Sequence, residues 1–128
     1  MNTQANVLCC ITAQESCSSI LKKGKEMATR LGCATKAVTV QPLKQDAKRR
    51  SQDMITLDAL SKNSGVEISV IYSDNPLLAL AEYAEKNIPI HIFTGKQADK
   101  SSFVFTLAEK CRLPVSMVAG DTVFTISN

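Results

Sequence analysis

Residues 94–102, Thr-Gly-Lys-Gln-Ala-Asp-Lys-Ser-Ser, bring together the residue types that hold phosphate. An apolar run containing Ile90, Ile92 and Phe93 precedes them, and a helical pattern begins near Phe103. A strand, a glycine turn, a lysine and two hydroxyls at a helix start supply backbone N–H donors and positive potential for an anion. The loop holds a single glycine, Gly95, and is short for cradling a nucleotide by itself.

A second polar segment, Thr12-Ala13-Gln14-Glu15-Ser16, follows the first apolar run, Val7 to Ile11. It offers hydroxyl and amide groups, with Ser16 placed to cap the next helix. Other chemistry finds little support. His91 is the single histidine and falls in a strand, where a structural role is expected. No serine or cysteine has a base at a recognisable spacing. The five cysteines (Cys9, Cys10, Cys17, Cys33, Cys111) include no Cys-x-x-Cys, so neither a disulfide framework nor a zinc site is expected. Cys9 and Cys10 read as small core residues. Asp74 is explained by an Asx turn before Pro76. The basic run Lys44, Lys48, Arg49, Arg50 and the cluster Lys22, Lys23, Lys25 read as solvated helix faces.

Both segments depend on the elements that carry them. Strands are expected at Val7–Ile11, Ala37–Val40, Val66–Tyr72, Ile90–Phe93 and Pro114–Ala119, with a sixth alternating piece at Val123–Ile126. Helices fill the intervals. The first runs from Ser16 to Leu31, with Ile20, Gly24, Met27, Ala28 and Leu31 inward and Gly32 as its stop. The second starts at Asp46, faces Ala47, Met54, Leu57 and Leu60 inward, and stops at Gly65. The third starts at Asn75-Pro76, with Leu77, Leu80, Ala81 and Ala84 inward. Phe103, Leu107 and Cys111 line the fourth. This alternation predicts an α/β fold, a doubly wound parallel five-stranded sheet with an extra C-terminal edge strand, as one domain over residues 1–128. Ligands in such sheets bind beyond the carboxyl ends of the strands, where the strand order reverses. If the first and fourth strands are neighbours, the Thr12 and Gly95 segments face each other there.

Composition agrees with one globular unit: 128 residues, 45% hydrophobic, 5% aromatic. A net charge of +3 is too small to argue for nucleic acid. No signal peptide or apolar stretch of membrane-spanning length is present, so the expected setting is the cytoplasm, with no membrane partner.

In element order the chain resembles the universal stress protein family. Residues 6–31 resemble its opening strand, turn and first helix. Ser73-Asp74-Asn75-Pro76 resembles its Gly-Asp-Pro entry to the third helix, and Pro114-Val115 its Pro-Val segment. The resemblance is closest to the universal-stress-type domain of Kdp potassium-sensor histidine kinases, which shares the shortened loop after the fourth strand. It implies a ligand crevice built from Thr12, Ala13, Gln14, Ser16, Val40, Gly95, Lys96, Ser101 and Ser102, with adenine nucleotide as the implied ligand and no certain cofactor. ATP-binding members place an Asp at the end of the first strand, where Thr12 stands here. They also carry a Gly-x-x-Gly loop ending in Gly with Ser or Thr. Gly95 matches its first glycine, Ala98 replaces the second, and Ser101 and Ser102 align with the end. A lost charged hydrogen bond to ribose costs about 1–3 kcal/mol, roughly 5- to 150-fold in affinity.

Some Kdp-type domains bind cyclic di-AMP through a Ser-x-Ser turn and a Phe-Thr-Ala-x-Tyr strand. The corresponding stretches, Thr12-Ala13-Gln14 and Thr35-Lys36-Ala37-Val38-Thr39, match outright at Ala37 alone. Dimerisation through the last strand, with Val115, Met117 and Val118 in contact and the final strand-like segment Val123–Ile126 able to contribute, is also implied. The expectation is a non-enzymatic stress-response or signalling domain with an atypical, weak or vacant nucleotide site. The alternatives are a sensor of ATP, AMP or cyclic di-AMP, an adenine-nucleotide hydrolase, and a protein–protein module that has lost its ligand.

Overall fold

The computed structural model describes residues 5–95 and 101–126, with backbone alone at 101–103. The strands are β1 (Asn6–Ile11), β2 (Ala34–Gln41), β3 (Ile68–Tyr72), β4 (His91–Gly95), β5 (Val115–Ala119) and β6 (Thr122–Ile126). The helices are α1 (Ser18–Leu31), α2 (Ala47–Ser64), α3 (Pro76–Asn87) and α4 (Ser101–Cys111), with a 3-10 turn at Glu15–Cys17. They form a six-stranded sheet in the order β3-β2-β1-β4-β5-β6. All pairings are parallel except β5 with β6, the antiparallel edge strand.

Strand β1 is buried along its whole length, as expected of a central strand covered on both faces. Its alternation divides the core. Val7, Cys9 and Ile11 pack with residues of α1 and α2, including Ile20, Leu21, Ala28, Leu57 and Leu60. Leu8 and Cys10 pack with Leu80 and Ala84 of α3 and Val104, Leu107 and Ala108 of α4. Helices therefore lie on both faces, and the strand order reverses between β1 and β4.

Local signals explain the helix ends. Gly32 and Gly65 adopt left-handed conformations as the caps of α1 and α2. Asp46 accepts from the Arg49 N–H and Asn75 from the Leu78 N–H at the starts of α2 and α3. Ser16 does not cap α1. It lies inside the 3-10 turn, Cys17 occupies the N-cap without a side-chain bond, and the Ser16 carbonyl accepts from the Ser19 hydroxyl. The first turn of the helix is spent tightening the loop.

The inward faces differ from expectation in places. On α1, Leu21 joins Ile20, Gly24 and Ala28, whereas Leu31 is 55% exposed in an exposed last turn. On α2, Ala47 and Met54 are exposed and Asp53 is buried instead. Asp53 accepts from Gln45 at 2.6 Å and pairs with Arg49 at 3.3 Å, which satisfies a carboxylate the core would otherwise reject. Arg50 stacks over Tyr72, 4.8 Å from the ring centre, and donates to the Leu43 carbonyl, so half of the basic run holds the α2 start in place. Lys25 is similarly engaged, donating to the Ser64 carbonyl at 2.7 Å.

Two features give checkable consequences. A Cβ at Gly24 would overlap the Cys9 sulfur, with Phe93 and Val7 close by. Overpacking of this kind costs about 1–3 kcal/mol, against about 1 kcal/mol gained from replacing a mid-helix glycine. Gly24→Ala is therefore expected to lower the urea midpoint, and Cys9→Ala combined with it to restore part of the loss. A Gly24→Ala chain more stable than the parent would overturn this account.

His91 is the second feature. Its Nε2 lies 2.6 Å from the Ser116 hydroxyl, which lies 2.8 Å from Thr125, so one polar chain links β4, β5 and β6. Burial holds the imidazole below its ordinary value. The unfolded state then takes up a proton near pH 6.5 that the folded state resists. Stability is full above that pH and falls as pH drops towards the folded value, by at most about 1.4 kcal/mol per unit. Denaturant titrations between pH 7 and 5.5 should show this slope in the parent and its loss in His91→Gln; an equal slope in both would refute it.

Candidate functional site

The carboxyl ends of β1 and β4 lie side by side, with Cys10 opposite Thr94 in register. The Thr12 turn therefore sits next to Gly95, at the point where the strand order reverses. On its other side β1 pairs with β2, Ile11 opposite Thr39, so Val40 follows at the same edge. Thr12, Ala13, Gln14, Ser16, Val40 and Gly95 are thus grouped as the sequence predicts. Lys96 lies outside the described residues. Ser101 and Ser102 open α4, and their side chains are also outside the description.

The turn after β1 is largely satisfied by itself. The Thr12 N–H donates to the Cys17 sulfur at 3.4 Å, and the Thr12 hydroxyl lies 3.5 Å from the same atom. The Gln14 N–H donates to the Thr12 carbonyl and the Cys17 N–H to the Gln14 carbonyl. The N–H groups of Thr12, Gln14 and Cys17 are thus engaged within the loop. Cys17 is buried behind it and forms part of the core. Sequence reasoning missed this role for Cys17, which shows only as a thiol five residues after Thr12.

Gly95 has a packing explanation. A Cβ there would come 3.1 Å from the Ile20 Cδ1 of α1, tighter than comfortable contact. Val40 packs partly into the core on the α3/α4 side, leaving an apolar wall beside Thr12. Asp74 accepts from the Leu43 N–H at 3.2 Å and ties the loop after β2 to the loop after β3.

The His91–Ser116 pair has the separation of a base and a nucleophile. Ser116 is 1% exposed and shares its hydroxyl with Thr125, so substrate has no access to it. Burial likewise raises two core thiols of β1: Cys9 is pushed up to about 12, and Cys10 is raised as well. Thiols so disposed are poor nucleophiles at neutral pH. Among the described residues no group of three or more His, Cys, Asp or Glu side chains is arranged to hold a metal, and no helix is long and apolar enough to cross a membrane.

The residues of the expected subunit contact lie on β5. Val115 and Val118 are buried within the chain, and Met117 is partly covered. Strand β5 pairs on both sides, with β4 and with β6. The edge on this side of the sheet is β6, where Val123 and Phe124 are exposed.

Neither family models nor curated proteins match this chain. Solved structures do. A universal stress protein from Archaeoglobus fulgidus superposes with a TM-score of 0.72 at 15% identity, covering 90% of this chain and 93% of that one. The universal stress protein from Archaeoglobus fulgidus in complex with dAMP gives 0.70 at 16%, covering 93% and 100%. A universal stress protein in complex with cAMP gives 0.65 at 13%, covering 92% and 99%. At these identities the shared property is the fold: the chain has the architecture of universal stress proteins.

Proposed function

We propose that this chain is a non-catalytic stress-response or signalling domain of the universal stress protein family, working in the cytoplasm, whose crevice binds an adenine nucleotide weakly or not at all. The observation that carries the reading is the turn after β1, where Thr12 stands and bonds back to Cys17. The dAMP and cAMP complexes of proteins with this fold support an adenine nucleotide as the ligand class. The shortened loop after β4 supports the Kdp sensor type as the nearest branch, with cyclic di-AMP as a further ligand to try.

Thermal shifts with ATP, AMP, cyclic AMP and cyclic di-AMP test this directly. A ligand at 100 times its Kd stabilises by about 2.7 kcal/mol, readily visible in melting. The parent is expected to shift only at millimolar nucleotide. Thr12→Asp, which supplies a carboxylate for a ribose, is expected to tighten binding by roughly 5- to 150-fold. Submicromolar ATP affinity in the parent, or steady ATP turnover, would overturn the reading.

The chain is also proposed to form a homodimer, with β6 rather than β5 as the contact. Five residues without charge or proline, carrying an exposed Phe124, leave an edge that a second β6 can extend by antiparallel pairing. Light scattering after size exclusion should give a dimer at high micromolar concentration and a monomer for Phe124→Glu. A monomeric parent would refute the contact.

A further inference from the structure

The hydrogen bonds of the sheet fix which backbone groups of β6 are left over. The Ile92 N–H donates to the Pro114 carbonyl, so Pro114 and Ser116 turn their backbone groups toward β4. Val115, Met117 and Ala119, one residue out of step, turn theirs toward β6, where their partners are Ile126, Phe124 and Thr122. The N–H and C=O groups of Val123 and Thr125 therefore point outward along the edge. Among the described residues β6 pairs with β5 alone.

Side chains and charges narrow what can use this edge. Phe124 stands opposite Met117, on the face of the sheet that α4 covers, and is exposed. Helix α4 turns Val104, Leu107 and Ala108 into the core. Phe105, about 100° further round the helix, falls on the flank nearer β6 in a right-handed crossover and is exposed too. Strand β6 itself carries no charge. Asp121 precedes it at one end, and Arg112 lies at the other, three residues before Val115, which faces Ile126. Glu109, one turn back on α4, forms no ion pair with Arg112. Antiparallel pairing of two such edges separates the two Asp121 side chains and brings each to the end where the other copy has Arg112; parallel pairing would set like charges together.

We propose that two copies join in one register, with Phe124 opposite Phe124 and Val123 opposite Thr125 of the second copy. This rests on the β6 homodimer proposed above and adds how it is built. A two-fold axis at Phe124 pairs every outward group of Val123 and Thr125. It also makes the phenylalanines a non-hydrogen-bonded pair, the closer kind, with Cα atoms about 4.5 Å apart. Moving the axis to Val123 would set Asp121 against Thr125 and leave Ile126 unpaired. The sheet then runs unbroken through both copies, with the two Phe124 rings between the two Phe105 side chains. An aromatic side chain carries about 150–250 Å². Partly exposed rings and a five-residue ladder fall toward the low end of stable interfaces, about 1,200 Å² in total. The dimer is therefore a weak one that depends on concentration.

Amide hydrogen exchange of the full chain, at low and at high micromolar concentration, reads the register directly. The Val123 and Thr125 amides should exchange more slowly as concentration rises, by about 10-fold once nine-tenths of the chain is dimeric. The Phe124 and Ile126 amides, bonded to β5, should be protected at both concentrations. Val123→Pro removes an outward N–H and keeps Phe124, so it should be monomeric by light scattering with native circular dichroism. Phe105→Ser should weaken the dimer by roughly 2- to 10-fold, the scale of one aromatic contact. A dimer whose Val123 and Thr125 amides exchange as fast as in dilute solution would keep the homodimer and overturn this register. Parent affinity in Val123→Pro would overturn it as well. A parent that scatters as a monomer throughout would remove the homodimer and the register together. If Val123→Pro fails to fold, exchange in the parent decides.

Discussion

The whole arrangement depends on how closely α1 lies on β1. Gly24 sits directly over Cys9, and the absence of a side chain there lets the helix settle onto the sheet. That depth sets where Ile20 meets Gly95 and where the turn from Ile11 to Ser18 must close. A tight 3-10 turn is what remains when a short linker joins a deeply seated helix to a central strand. The same seating carries the Leu21 face of α1 into the core it shares with Leu57 and Leu60 of α2. One small residue thus governs both the crevice turn and the packing of α1 with α2.

Much of this was legible in the sequence because it is periodic and local. The unbroken apolar run at Val7–Ile11 can only be a strand covered on both faces, and glycines at 32 and 65 mark helix ends through a conformation that favours them. The meeting of the Thr12 and Gly95 segments was conditional on β1 and β4 being neighbours, and the sheet meets that condition. What failed were readings that depend on partners distant in sequence. Met54 looks like a core residue and Asp53 like a surface one, until Gln45 and Arg49 are seen to satisfy the carboxylate. Ile88 ends α3 in a left-handed conformation that sequence rules would assign to glycine, and Pro89 then carries the chain into β4. His91 and Ser116 stand 25 residues apart and meet only because β4 and β5 are neighbours.

The candidate site shows the same division. Which segments would meet was readable; what they would offer was not. Hydroxyls and amides near a helix start suggest donors for a phosphate, yet a donor already bonded inside its own loop gives little to a ligand. The Thr12–Cys17 contact engages the Thr12 N–H and hydroxyl within the turn. Polar residue types therefore overstate an anion site wherever the loop is short enough to satisfy itself.

The edge strands make a related point about partners. Pairing β6 with β5 adds one antiparallel ladder and takes up the backbone edge of β5, while the helices on the two faces bury Val118 and Val115. It also locks the polar chain from His91 through Ser116 to Thr125 inside the sheet, so β6 is held by side chains as well as by its backbone. An edge strand fixed in this way is a rigid template rather than a fraying terminus. Rigidity lowers the ordering cost of pairing, which is why an exposed Phe124 on β6 favours association more than the same residue on a loose tail would.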